Sequence, residues 1–380
     1  MAVDDFQGSI AQTQVSFSTT TQVTVVPGQN YQNIEIFLGT LDAVANFIST
    51  PPAAGTATAL YASTYSTVVT GTLLAWLQQF FANNTNSVAY VIIYTETSTV
   101  PIDAATKLAI DAQYATYKDL GYFKFILHAD VSAQIELAKQ CYSDPLLSMF
   151  CMGVSDAQEL VPSSTTSWSA QVLLAGYDAF SIYHANATYN AVIVDLGLAL
   201  GTLNTTGTPV GNPLDMMATL SITPSGTTNG SLVLTNLTSV QKSTLAGINV
   251  GYWLTVGDGT GRSAVFSGKT LKGSVAAAVW FQNYIDYSAQ VDTAVYITQL
   301  GGASFKNNTT YQAILAILKS TLYPFQNPLG RLTNLQITAP TFAKLPASSG
   351  SSITIPNAWV ATWNDSVRNV TVQGTLVIGQ

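Results

Sequence analysis

Charge is what this sequence has least of. Only 9% of its 380 residues are Asp, Glu, Lys or Arg. Basic residues are missing altogether before Lys107, while the same stretch carries Asp4, Asp5, Glu35, Asp42, Glu96 and Asp103. The net charge is −7, and no Lys/Arg cluster with interleaved aromatics occurs, which excludes a nucleic-acid partner. Long apolar runs are also missing. The densest, 122–129 and 192–199, fall far short of the ~20 residues that span a bilayer, so no membrane partner is expected. The first ten residues hold two acids and no basic n-region, so no signal peptide is expected. That counts against a secreted β-rich adhesin, which the Thr-, Asn- and Gly-rich composition would otherwise suit. Two cysteines, Cys141 and Cys151, make neither a disulfide framework nor a metal site and read as buried free thiols. Asn-x-Ser/Thr triplets at Asn186, Asn204, Asn236, Asn308 and Asn369 follow from composition alone.

What the sequence does have is patterned ends. Near the N-terminus Val15 and Phe17, then Val23 and Val25, alternate among Ser, Thr and Gln, up to the turn signal Pro27-Gly28. Near the C-terminus Ile353, Ile355, Trp359, Ala361 and Trp363 lead into Asn364, Asp365 and Ser366, which supply turn chemistry. Val370, Val372, Leu376 and Ile378 then alternate with polar residues. A period of two gives one apolar and one polar face, and such a strand needs a partner or becomes an open edge. Charge follows the same polarity. Residues 251–380 hold eight bases (Arg262, Lys269, Lys272, Lys306, Lys319, Arg331, Lys344, Arg368) against Asp258, Asp286, Asp292 and Asp365. An acidic front and a mildly basic back suit head-to-tail contact between copies.

Between the ends, strands and helices alternate as in a parallel α/β layer. Strands are predicted at 34–38, 88–94, 122–128 and 148–154. Helices are predicted around Leu41, Val44, Ala45 and Ile48, and at 73–81, 103–120 and 131–141. Beyond Val161 the pattern weakens: a strand at 179–184, a helix at 192–203, loops and short strands over 207–230, and a helix at 238–248. A hairpin follows at 251–256 and 262–267 around Gly257-Asp258-Gly259-Thr260-Gly261. The longest helix is predicted at 274–300, a second at 311–322, and a strand at 334–338. The fold class is therefore α/β (α+β), with extended N- and C-terminal arms.

Chemical motifs are weak. Gly268-Lys269-Thr270 imitates the end of a P-loop, but Ser263 stands where the first glycine belongs. His128 and Asp130 follow one buried strand and Ser155 another, where α/β enzymes place active sites. A Ser155/His128 hydrolase is thus one alternative. The surrounding Gly153-Val154-Ser155-Asp156-Ala157 lacks the closing glycine of a nucleophile elbow. No paired carboxylates at helical spacing suggest glycosidase or metal work. No cofactor is expected, and the chain does not read as an enzyme.

The order of elements resembles the contractile tail sheath proteins of bacteriophages, in a compact form. The residues that carry the likeness begin with the extended arm, the strand from Ile34 and Leu41-Asp42-Ala43-Val44-Ala45-Asn46-Phe47. They continue with Leu245-Ala246-Gly247-Ile248-Asn249, Gly268-Lys269-Thr270-Leu271-Lys272-Gly273 and the long helix through Trp280 and Phe281. The closing hairpin ends in Val370-Thr371-Val372-Gln373-Gly374-Thr375-Leu376. The basic, proline-containing segment that often follows the long helix stands here as Phe305-Lys306-Asn307-Asn308-Thr309-Thr310, and inserted surface domains are missing.

The resemblance implies an arm over 1–26, an α/β core over 27–272, a helix–helix–strand region over 273–365 and a strand arm over 366–380. It implies hexameric rings of this chain stacked helically around a tail tube, with baseplate and tail terminator proteins as further partners. Assembly would take place in the host cytoplasm and the product would be part of the virion. Val15, Phe17, Val23 and Val25 of one arm, and Val370, Val372, Leu376 and Ile378 of the other, would add strands to neighbouring subunits. Pro27, Gly28, Asn364, Asp365 and Ser366 would act as hinges. A headless tailocin or contractile injection system would use the same subunit.

Overall fold

The structure is a computed structural model that describes residues 30–41, 47–50, 71–82, 84, 87–98, 100–145, 148–201, 236–255, 263–266, 268–299, 307–326, 332–345 and 359–363. Its centre is a six-stranded sheet in the order β2-β3-β1-β4-β5-β6. The strands are β1 (Ile34–Thr40), β2 (Phe47–Thr50), β3 (Ala89–Thr95), β4 (Phe123–Leu127), β5 (Met149–Val154) and β6 (Phe180–Tyr183). Five run parallel and β2 pairs antiparallel on the β3 edge. Helices α1 (Gly71–Phe81), α2 (Ala104–Tyr117), α3 (Val131–Ser143) and α4 (Trp168–Leu174) lie on the connections between parallel strands. The α/β class expected from alternating elements is what folds.

Both faces of the sheet are covered, which is why its strands are continuous apolar runs rather than alternating ones. On one face Ile34, Ile36, Val91, Phe125 and Cys151 meet α1, α5 (Ala191–Gly201) and, with Trp280 and Phe281, a long C-terminal helix. On the other, Phe37, Ile92, Ile126 and Phe150 meet α2 and α3. Local chemistry sets the helix starts. Asp103 accepts the Thr106 N–H at 2.8 Å, Asp130 accepts that of Ser132 at 3.0 Å, and Ser167 accepts that of Ala170 at 3.3 Å.

One element is corrected. Leu41, Val44, Ala45 and Ile48 were expected on one helix, yet Ile48 lies in β2, with Phe47 opposite Ile92 and Ile48 opposite Val91. Four apolar residues in an eight-residue window fit a helical stripe by chance, and the edge of β3 offers backbone partners that decide otherwise. Helix α4 gave no sequence signal. Its start is held by a buried carboxylate, with Glu159 accepting the Ser169 N–H at 2.9 Å.

The C-terminal third adds α6 (Ser239–Gly247), the hairpin β7 (Tyr252–Thr255) and β8 (Ser263–Phe266), α7 (Ala276–Gln299), α8 (Asn308–Gln326), β9 (Leu332–Ile337) and β10 (Trp359–Trp363). The expected hairpin is present, Tyr252 opposite Phe266 and Thr255 opposite Ser263. Helix α7 is riveted to the sheet just ahead of β1 and β4. Trp280 Nε1 donates to the Tyr31 carbonyl (3.0 Å), Tyr31 hydroxyl donates to the Asn283 carbonyl (2.9 Å), and Asn283 Nδ2 donates to the Tyr122 hydroxyl (2.7 Å). Tyr31 and Tyr122 stack at 4.5 Å. No helix among the described residues is long and apolar enough to cross a membrane.

Candidate functional site

Two places merit functional scrutiny: the carboxyl end of the parallel sheet and the ribbon made by β9 and β10. In the sheet, β3 and β4 flank β1, so the chain reverses its direction of travel across the sheet at β1. That reversal opens a crevice beyond the carboxyl ends of the strands, the usual ligand position in such sheets.

At this end Glu96, just past β3, turns back over β1. Its carboxylate lies on Gly39, where a Cβ would fall 1.6 Å from Oε1, so a larger residue there would displace the Glu96 side chain. Tyr94 donates its hydroxyl to Glu96 Oε1 at 3.3 Å, and His128 Nε2 stands 3.2 Å from the same oxygen. His128 Nδ1 accepts the Asp130 N–H at 2.9 Å. Burial works to raise Asp130, but Ser132 donates to its carboxylate from side chain and backbone, and Ile102 N–H at 2.8 Å, which together hold it below its usual value.

His128 and Ser155 line one cleft of about 320 Å³, so the structure brings the two hydrolase candidates to one place. The chemistry between them does not follow. With Nδ1 accepting a backbone N–H, the ring proton sits on Nε2 and faces Glu96, leaving no lone pair to take a proton from Ser155. The sequence missed the other polar residues of this cleft. Trp76 and Asn190 also line it, and the indole Nε1 and amide Nδ2 are buried without a hydrogen-bond partner. Asn190 immediately before the apolar run of α5 is an N-cap signal that could have been read.

Two further carboxyls lie deeper. Glu35 and Lys124 are adjacent across β1 and β4, fully buried and 2.5 Å apart. Lys124 Nζ also donates to the Lys118 carbonyl at 2.7 Å and to that of Gly121. Burial still pushes Glu35 up to about 7 against the pull of Lys124. Asp195, inside the otherwise apolar α5, has both oxygens unpartnered, and burial pushes it up to about 8. Cys141 and Cys151 are free and buried, as expected; burial raises the first to about 12 and the second well above its usual value. Neither is a poised nucleophile.

Gly268-Lys269-Thr270 forms no phosphate cradle. Thr270 bridges Phe180 at the outer edge of β6 and Lys269 bridges Val275. The turn closes through Thr270 N–H to the Ser274 carbonyl at 2.8 Å. Lys272 donates to the Gly176 carbonyl at 2.7 Å and stands 4.2 Å over the Tyr142 ring. The segment is a clasp that covers the sheet edge.

The ribbon is a two-stranded antiparallel sheet, Trp359 opposite Ile337 and Trp363 opposite Leu332. Leu335, Ile337, Trp359 and Ala361 rest on the core, whereas Val360 is 52% exposed. The period of two expected for Trp359 and Ala361 is therefore seen. The arm positions Val15, Phe17, Val23, Val25, Val370, Val372, Leu376 and Ile378 lie outside the described residues. So do the hinge positions Pro27, Gly28, Asn364, Asp365 and Ser366. The chain matches no protein-family model, and no curated protein matches it.

Proposed function

We propose that this chain is a structural subunit that polymerises by strand exchange, a contractile tail sheath subunit forming stacked hexameric rings around a tail tube. The observation that carries the reading is the β9–β10 ribbon. It is anchored to the core through Trp359 and Ala361, presents Val360 outward, and ends at Trp363, with residues 364–369 between it and the patterned stretch 370–378. A strand from a neighbour would find a short, pre-ordered template with main-chain partners for attachment and alternating side chains for register. About five such hydrogen bonds at about 1 kcal/mol each would give several kcal/mol per arm, and burial of the apolar face would add to that.

The position of Tyr31 supports the same reading. The N-terminal arm would join the core beside this residue, which is locked by α7 and by Tyr122. Pull on the arm would be transmitted into the sheet rather than fray its first strand. Sheath contraction would use energy stored in subunit packing, with no nucleotide hydrolysis.

The test is the chain without residues 367–380. It is expected to stay folded and to form no tubes, while the full chain gives striated hollow tubes in negative-stain micrographs. Normal tubes from the truncated chain would overturn the arm reading. The hydrolase reading keeps one observation in its favour, the shared cleft of His128 and Ser155. It requires that His128→Ala abolish a hydrolytic activity of the purified chain while leaving its assembly intact.

A further inference from the structure

The cleft at the carboxyl end of β4 and β5 is not used by strand exchange, yet it has the features of a binding site. Its apolar walls come from Trp76 on α1, Phe125, Met152 and Trp168. Its polar side is unusual because its donors are left over. Asn190 is 2% exposed and Trp76 is 7% exposed, and neither Asn190 Nδ2 nor Trp76 Nε1 has a partner. The Asn190 amide cannot be turned to cure this, because its Oδ1 accepts the Ile193 N–H at 3.1 Å. Gly153 makes room for the amide, since a Cβ there would fall 2.4 Å from Asn190 Oδ1. A buried donor without a partner costs about 1–3 kcal/mol, and the two residues that carry these donors both line the cleft.

The chemistry of the walls selects the ligand. Among the described residues no Asp or Glu lines the cleft, in a chain of net charge −7, so a cation finds no partner among them. No Lys or Arg among the described residues lines it either, so a multiply charged phosphate would be left without counter-charge from them. Neutral donors beside the start of α5 suit a single carboxylate, which the positive end of the helix also favours. Four apolar and aromatic walls suit a ring. We propose that this cleft binds a small monocarboxylate carrying an apolar ring, with Asn190 Nδ2 and Trp76 Nε1 donating to the carboxylate. The inference stands apart from the sheath reading, since it rests on none of the arm residues.

The probe is phenylacetate added to the full chain, followed by saturation-transfer NMR and tryptophan fluorescence. Benzyl alcohol and inorganic phosphate serve as comparators. A ligand of this size is expected to saturate with a Kd of about 1 mM, with benzyl alcohol and phosphate each at least about tenfold weaker. Asn190→Asp keeps an oxygen to cap Ile193 but replaces the donor with a carboxylate, so phenylacetate binding should fall at least about tenfold. Trp76→Phe keeps a ring and removes the indole donor, so binding should fall about fivefold. Melting curves confirm that each variant is folded. Failure of phenylacetate to saturate by about 20 mM, or unchanged binding by both variants, would overturn the proposal. So would benzyl alcohol binding the unaltered chain as tightly as phenylacetate, a comparison that needs no variant to fold.

Discussion

The parallel sheet and the C-terminal ribbon are built to opposite rules. In the sheet, strands β1 and β4 bury residues of both faces, and even its ion pair is enclosed: Glu35 and Lys124 are 0% exposed. The outer edge of β6 is closed by Gly251 and Thr270, which bond across to it. In the ribbon, β9 alternates between half-buried and exposed positions and Val360 of β10 faces outward. A sheet buried on both faces and closed along β6 specifies the fold of one copy. A ribbon with one anchored face leaves an outward surface that a second copy can use. On the proposed reading, stability belongs to the first region and association to the second, and each side of the contrast can be attacked separately.

The largest effect is expected from Lys124→Met. It removes the cation and strands the Glu35 carboxyl, whose Oε2 already lacks a partner. Loss of one member of a buried pair costs about 3–5 kcal/mol, readable as a fall in the urea midpoint above pH 7, where Glu35 of the parent is ionised. Replacing both members, Glu35→Leu with Lys124→Met, should recover most of that loss, because two apolar side chains need no partner. If the single variant were as stable as the parent, the pair would not be part of what holds β1 to β4.

A second test uses pH. Asp195 is pushed up to about 8 and Glu35 to about 7, both above their unfolded values of about 4. Between those limits the folded chain holds protons that the unfolded chain has released. Stability is therefore full near pH 4 and falls as pH rises through 7 and 8, the reverse of ordinary acid denaturation. The expected loss between pH 5 and pH 9 is about 2–3 kcal/mol, less than the full shifts imply because water enters and relaxes around a newly charged carboxylate. Asp195→Asn should flatten most of this slope. Unfolding curves that are flat from pH 5 to pH 9 in the parent would show that neither carboxyl is held protonated.

Legibility in the sequence follows the same division. Ile34-Glu35-Ile36-Phe37-Leu38 and the runs of β3, β4 and β5 could be read directly, because strands buried on both faces are simply apolar. The alternation Trp359, Ala361 was equally plain, because one-sided burial writes a period of two. What could not be read was set by distant partners. β2 exists because β3 has an edge to fill, and α4 depends on Glu159 reaching Ser169. The cleft pairs Trp76 with Asn190, which are far apart in the chain and meet only through the packing of α1 against α5. The nearest link is explicit: Asn190 N–H donates to Gln79 Oε1 at 3.0 Å, and Gln79 Nε2 donates to the Thr188 carbonyl at 3.1 Å. Neither contact has a sequence period.

The smallest effect on stability, and the sharpest on the comparison, is expected from Val360→Lys. The side chain is half in solvent, so the folded subunit should change by less than about 0.5 kcal/mol. A lysine on an exposed ribbon is, however, a standard barrier to strand addition. If copies join through this ribbon, the variant should melt like the parent yet form tubes poorly in micrographs. Leu108→Lys provides the counterpart on the core side, because Leu108 is 68% exposed on α2 and lies on the region that needs no partner. It should leave both melting and tube formation unchanged. The opposite outcome, tubes lost with Leu108→Lys and kept with Val360→Lys, would move the association surface from the ribbon to the helical face of the sheet.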